Sequence, residues 1–448
     1  MPSNFRDARR AALDFKKPGR PGPVSGCLLS CRPAFERLPP GSIYNSLLLS
    51  RVFKAFQYRD FRLLWFGACT SSIGTWMQKL AQSWLVLQLS NSPFLLGVDA
   101  FLGELPILLF SLLGGVAADR KNRRHLLLGS QVLQMSCAFL LAILFSLRVV
   151  RVWHILCLSF FTGLAQAFGG PAYQSLIPSL VSIENISNAI ALNSIQFNLA
   201  RVIGPVLGGI ALARLGAAWC FSLNGLSFVA VILSLLAIHI PFAPSKGNPS
   251  VLASMRQGLG FVRRNAVMPS LVVLAFSMTA LGVPLIVFLP VFAKDVFHGG
   301  VNTYTLLLST FGMGSIAGAL MVAAMGNTKG KGRIALTFLL GLGIAMAAFS
   351  LSKLLWVSCV FLFLAGASLV GVLSMVGSLV QEITADSMRG RVMSVYNVAF
   401  RGGMPVGSLI TGSLVHGFTA PVVLAVNGVL LAALGVYYLT VKRRVASL

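Results

Sequence analysis

From about residue 60 to residue 440 the chain alternates apolar stretches of about twenty or more residues with short polar strips. A stretch of that length crosses the roughly 30 Å hydrocarbon core of a bilayer as a single helix. A soluble bundle would carry polar stripes at helical spacing, and these segments do not. Charged residues make up only 10% of the chain, against about 25% in soluble domains. The pattern predicts an all-α membrane protein of twelve transmembrane helices. The first six lie at roughly 62–88, 93–117, 124–147, 152–176, 188–213 and 217–240. The second six lie at roughly 266–293, 302–326, 333–352, 354–380, 392–415 and 420–440.

A net charge of +25 raises nucleic-acid binding, but the placement of the cations argues against it. They fall in the N-terminal strip and in alternate loops rather than on one continuous face. The even loops carry Arg120, Lys121, Arg123 and Arg124; Lys246, Arg256, Arg263 and Arg264; Lys329, Lys331 and Arg333; and Arg389 and Arg391. Lys442, Arg443 and Arg444 follow the last span, and the odd loops hold only Arg148, Arg151, Arg214, Lys294 and Lys353. Positive residues stay on the cytoplasmic side, so both termini are expected there.

Residues 1–58 are rich in Pro, Gly and Arg and read as a disordered basic tail, or as an upstream extension of the functional start. Gly26–Ser30 is too short for the apolar core of a secretory signal. Residues 59–240 form the first six-helix unit, 241–265 a polar cytoplasmic linker, 266–442 the second unit and 443–448 a short tail. The two units repeat each other. At an offset of 203, Phe197 falls on Phe400, Gly204 on Gly407, Gly209 on Gly412, Asn224 on Asn427 and Gly225 on Gly428. Two pseudo-symmetric six-helix bundles are the architecture with which alternating-access carriers rock around a midplane site.

Two motifs carry a mechanism. Gly114–Arg124 places Asp119 among Arg120, Lys121, Arg123 and Arg124, between two apolar spans. Gly114 and Gly115 allow close helix approach, and a carboxylate at a helix end can accept from the free N–H groups of another helix start. Within span five, Ala200-Arg201-Val202-Ile203-Gly204-Pro205-Val206-Leu207-Gly208-Gly209 bends the helix at Gly-Pro and opens a close-packing face at Gly208 and Gly209.

The first motif resembles the G-x-x-x-D-R-x-G-R-R loop of major facilitator superfamily transporters, with Asn122 where Gly is usual. The second resembles the G-x-x-x-G-P-x-x-G-G signature of the antiporter branches, with Ala200 at the first Gly. Phe168–Ala172, Ser175–Pro178, Asn188–Ser194 and Arg389–Ser394 narrow the likeness to the bacterial group that contains the enterobactin exporter and macrolide-efflux-like permeases. The resemblance covers about residues 52–442. It implies the major facilitator fold, a bacterial inner-membrane location and export by proton antiport. It also implies a cytoplasmic gate in which Asp119 meets the start of span eleven. Gly115, Arg120, Arg123, Arg124, Arg389, Arg391 and Arg401 would support that gate, and Glu184, Glu382 and Asp386 would supply partner acids.

Within the spans lie three cations, Lys79, Arg201 and Arg401, and two acids, Asp99 and Glu104. Each costs at least about 2.5–3.5 kcal/mol at mid-helix, so each calls for a partner or a task. Glu104 and Arg201 sit midway along their spans and are expected to face each other. Glu104 is then either the proton-carrying group or half of a fixed ion pair; burial favours its protonated form and a neighbouring Arg the anion. Asp99 reads as a wet acid near the outer end. Lys79, with Gln78 and Gln82 on the same helix, contacts an anion or substrate, or else snorkels. Asn193, Gln196, Asn198, Tyr396 and Asn397 are expected to bond between helices or to line the cavity.

Seven Cys and five His show no ligand spacing and no catalytic grouping, and there is no phosphate-cradling loop. No metal, no cofactor, no ATP and no enzymatic reaction are therefore expected. The expected partners are a small-molecule substrate (a siderophore or amphipathic drug), protons and the bilayer, with a monomer as the working unit. An uptake carrier and a transport-dead receptor or scaffold are the competing functions.

Overall fold

The computed structural model describes residues 53–238, 251–326, 328–385 and 388–448. Among these there is no strand, and the architecture is twelve long helical rods. In the first half they are α1 Arg59–Ser90, α2 Pro93–Arg120, α3 Arg123–Ser146, α4 Val152–Leu176, α5 Ile186–Arg214 and α6 Ala217–Ala237. In the second half they are α7 Met268–Val296, α8 Val301–Met325, α9 Lys331–Leu351, α10 Leu355–Ile383, α11 Arg389–Gly417 and α12 Ala420–Thr440. Ten of the twelve are long and apolar enough to cross a membrane by composition alone. The other two, α1 and α11, carry Gln78, Lys79 and Gln82, and Arg389, Arg391, Asn397 and Arg401 respectively. Large apolar side chains such as Leu140, Ile143, Leu233, Leu320 and Val429 are exposed, as a lipid solvent permits and water does not.

The helix ends have local causes. Pro93 opens α2 at a position whose N–H would be unpaired anyway. Asn122 caps α3, its Oδ1 accepting from the Arg124 N–H at 3.0 Å. Its φ of −61° shows that the residue standing where Gly is usual serves here through its side chain, not through left-handed backbone. In α7, Pro284 and Pro290 each remove a backbone donor, so the rod is segmented and closes in a π turn over Phe292–Val296.

Both flanking strips carry local structure in their described parts. Lys54–Gln57 forms a 3₁₀ turn, and the Ala55 N–H donates to Asn188 Oδ1 at 2.9 Å. The Tyr58 hydroxyl donates to Ser182 Oγ at 2.6 Å and accepts from Asn185, and these bonds hold its phenol below the ordinary tyrosine pKa. Residues 1–52 lie outside the described residues. The linker, expected as a polar strip, contains a helix at Val251–Arg264. It packs on α11, with Val262 buried and Gly258 set against the Arg391 carbonyl.

The duplication is visible in the packing. In the first half α1 packs on α5 and α2 on α4; in the second, α7 packs on α11 and α8 on α10. The halves meet through α2 against α11 and α5 against α8, which exchange under the same symmetry. Glycines at the repeated positions allow these crossings. Gly204 lies on Trp76 and the Ile73 carbonyl of α1, while Gly407 lies on the Ala280 backbone of α7. Gly209 faces Thr305 of α8, and Gly412 faces Gly97 of α2. A Cβ at Gly407 would overlap backbone, which cannot move aside, whereas Gly115 has nothing within 4 Å of that position. Gly407→Ala is expected to cost about 1–3 kcal/mol through overpacking. The cost should be read as a lowered thermal midpoint of the purified protein, with Gly115→Ala unchanged within error.

Candidate transport site

The two ends of the bundle differ in how the halves meet. At the end opposite the Gly114–Arg124 loop, Lys294 Nζ of α7 donates to Asn91 Oδ1 at 2.6 Å, and the rings of Trp84 and Tyr304 stack at 6.1 Å. Gly97 abuts Ser408 and Gly412, and Gly209 abuts Thr305. At mid-depth Gly402 meets Leu108, and Gly312 meets the Arg201 carbonyl. At the basic end Asp119 makes no hydrogen bond or ion pair among the described residues.

The basic loop closes helix ends within its own half. Arg123 donates to the carbonyls of Ala118 (3.3 Å) and Ser175 (3.1 Å), which terminate α2 and lie near the end of α4. Arg124 donates to the Leu236 carbonyl at the end of α6 at 2.8 Å. Arg120 is exposed. Gly114 packs against the Ala167 carbonyl of α4, whereas a Cβ on Gly115 would meet open space. Arg389 opens α11, and Arg391 donates to Met388 Sδ at 3.3 Å. Of the acids expected as gate partners, Glu382 pairs with Lys331 at 2.9 Å within the second half, Glu184 is exposed and Asp386 lies outside the described residues.

Mid-depth holds a different arrangement from the expected one. Glu104 faces Arg401, not Arg201: Arg401 Nη1 stands 3.5 Å from Glu104 Oε2, joining α2 to α11 across the contact between halves. Arg401 therefore sits at mid-depth instead of at the gate. At 3.5 Å the pair is electrostatic only, and Glu104 Oε2 has no hydrogen-bond partner among the described residues. Arg201 instead lies over the ring of Trp76, its Cζ 5.6 Å from the centroid, and Lys79 Nζ lies 5.3 Å from the same ring. Depth along a helix does not reveal azimuth, and azimuth separates these partners.

Asp99 is the second correction. It is buried, not wet. Gln82 Nε2 donates to both of its carboxylate oxygens (3.1 and 3.0 Å) and the Ser159 hydroxyl donates to Oδ1. Gln82 in turn accepts from Gln78 Nε2 at 3.4 Å, and Gln78 accepts from Asn224 Nδ2 at 2.6 Å. Every donor in this chain points toward Asp99, so α6, α1 and α4 converge on a single carboxylate of α2. The Gln78/Gln82 spacing announces a polar face on α1, but nothing in the sequence singles out Ser159 or Asn224 as members of the network.

The remaining candidates separate by region. Gln196 is fully buried. It donates to the Ala68 carbonyl (2.9 Å) and Ser72 Oγ (2.7 Å), while the Tyr173 hydroxyl bonds Asn193 (2.8 Å) and Gln196 (3.2 Å). These residues tie α1, α4 and α5 together. Asn198 donates to the Ser194 carbonyl on its own helix. Tyr396 is buried and stacks on Phe400 at 6.3 Å, and Asn397 is exposed. Gly204 and Gly208 pack on Trp76 and Met77, with Pro205 buried between them. The described residues contain no cluster of His, Cys, Asp or Glu that could hold a metal.

This geometry fits a two-bundle carrier, and the comparisons with known proteins decide the family. A family model described as transmembrane secretion effector matches residues 50–447. The chain belongs to this family of major facilitator transporters. It is 27% identical over 364 residues to the multidrug efflux pump Tap of Mycolicibacterium fortuitum, covering 79% of this chain and 88% of that one. It is 24% identical over 391 residues to the enterobactin exporter EntS of Shigella boydii serotype 4, covering 85% and 91%. A solved POT family transporter shares the fold with a TM-score of 0.71 at 10% identity, over 86% of this chain and 96% of that one. The protein is thus a multi-pass membrane transporter of the major facilitator type.

Proposed function

We propose that this transporter exports a small organic molecule, a siderophore or amphipathic drug, across the bacterial inner membrane by alternating access driven by protons. The observation that carries the proposal is the Glu104–Arg401 pair, a titratable carboxylate set in the seam between the halves at mid-depth. Opening the seam from the far side must separate α2 from α11 and so break the pair. A proton on Glu104 removes the charge that attracts Arg401, so proton binding and seam opening favour each other. The named exporters among its relatives support outward transport.

The basic loops face the cytoplasm under the positive-inside bias, which places both termini there. The present conformation is then the one open to the cytoplasm, with its outer ends packed and Asp119 disengaged. Asp119 would meet the start of α11 when the cytoplasmic side closes. A monomer holds every element the cycle uses. The proton gradient and membrane potential supply the drive, at about 2.3 kcal/mol per charge per 100 mV.

Everted membrane vesicles energised to an acid interior should accumulate the exported compound and lose it on addition of a protonophore. Accumulation insensitive to the protonophore, or absent across a panel of siderophores and amphipathic drugs, would refute proton-driven export and favour a facilitator.

A further inference from the structure

Lys79 and Arg201 are two cations within the membrane layer, and Asp99 acts on Lys79 only through space, without an ion pair. Among the described residues neither makes a hydrogen bond or an ion pair. The two acids at comparable depth make their close contacts elsewhere: Asp99 accepts from Gln82 and Ser159, and Glu104 faces Arg401. With both acids ionised, Lys79, Arg201 and Arg401 leave this layer one positive charge in excess. Contact with the Trp76 ring recovers part of the solvation that each cation lost. It supplies no counter-charge.

The pair is also built into the fold. Gly204 lies directly on Trp76 because it has no side chain, and this close crossing brings Arg201, one turn earlier on α5, over the indole. Lys79 lies one turn beyond Trp76 on α1 and remains exposed. A helix crossing that presents two unpaired cations on one indole is an arrangement for receiving a negative charge.

We propose that Lys79 and Arg201, held over Trp76, bind an amphipathic organic anion as the transported substrate, its single negative charge neutralising the layer. The proposal rests on the transporter reading and narrows it: cationic drugs are disfavoured, because they would enter a layer already in positive excess.

The test is equilibrium binding to the purified full-length protein in uncharged detergent, with no gradient of any kind. Two probes of similar shape serve, dansylglycine as the monoanion and dansylcadaverine as the cation. The wild type should bind dansylglycine at least about tenfold more tightly than dansylcadaverine. Lys79→Gln and Arg201→Gln should each weaken dansylglycine about tenfold, the scale of a lost charged contact. Lys79→Arg should retain it, and Lys79→Glu should reverse the order of the two probes. Equal binding of both probes by the wild type, or unchanged dansylglycine affinity in Lys79→Gln, would overturn the proposal. Lys79 is exposed, so its variants fold even where Arg201→Gln does not. Proton-independent transport would defeat the coupling mechanism and leave this result standing, because the binding assay contains no gradient.

Discussion

Glu104→Gln is expected to abolish proton-driven efflux while leaving the amount of protein in the membrane unchanged. The amide keeps the size of the side chain and leaves a neutral oxygen beside Arg401, but it can neither gain nor lose a proton. Any cycle in which proton binding releases Arg401 therefore stops. The residue stands partly exposed beside a partly exposed Arg401 rather than in a packed core, so the substitution leaves no cavity and no buried unpaired charge. Exchange of substrate between the two sides without net proton movement should survive, since it needs only the rocking of the halves. The measurement is paired: efflux against a pH gradient, and counterflow with none, in the same vesicles. Full gradient-driven efflux by Glu104→Gln would exclude this carboxylate as the coupling group.

Asp119→Asn is expected to lower transport severalfold, by up to about thirtyfold. In the proposed closed state its carboxylate accepts from the free N–H groups at the start of α11. A charge at a helix start contributes roughly 0.3–2 kcal/mol, enough to shift a two-state equilibrium by up to about thirtyfold. The corresponding loop of the second half, near Gly326–Arg333, keeps Lys329, Lys331 and Arg333 but has no acid, and none occurs between Asp295 and Glu382. Lys329→Gln should therefore transport within about twofold of the wild type. In the present conformation Asp119 bonds to nothing described, so Asp119→Asn should leave thermal stability in this state unchanged. A stability loss equal to its transport loss would assign Asp119 to packing and not to the gate.

These expectations differ in how much of each the sequence could supply. Ten of the twelve spans follow from apolar length, and helix ends from residues such as Pro93 and Asn122 whose preferences act within a turn. The halves follow from the 203-residue offset, and the observed crossings at Gly204 and Gly407 repeat it. Partners were legible only where they lie on one helix: Gln78 and Gln82 share a face at a spacing of four. Glu104 and Arg201 have similar depth, yet α2 turns Glu104 toward α11 while α5 turns Arg201 toward α1. The expectation of a wet Asp99 failed for a related reason. Depth suggested proximity to water, but α1 and α4 pack over Asp99 and supply it with three hydrogen bonds.

The sequence by itself determined the membrane class, the number of spans, the repeat and the membership of the cations in alternate loops. All of these depend on local length and composition, which the bilayer reads one segment at a time. Only the tertiary structure decided that Arg401 faces Glu104, that Gln82 and Ser159 bond to Asp99, and that Lys79 and Arg201 share Trp76. These are choices of helix azimuth and neighbour. They are set by where glycines such as Gly204 and Gly97 let backbones approach, summed over many contacts that no single stretch of sequence contains.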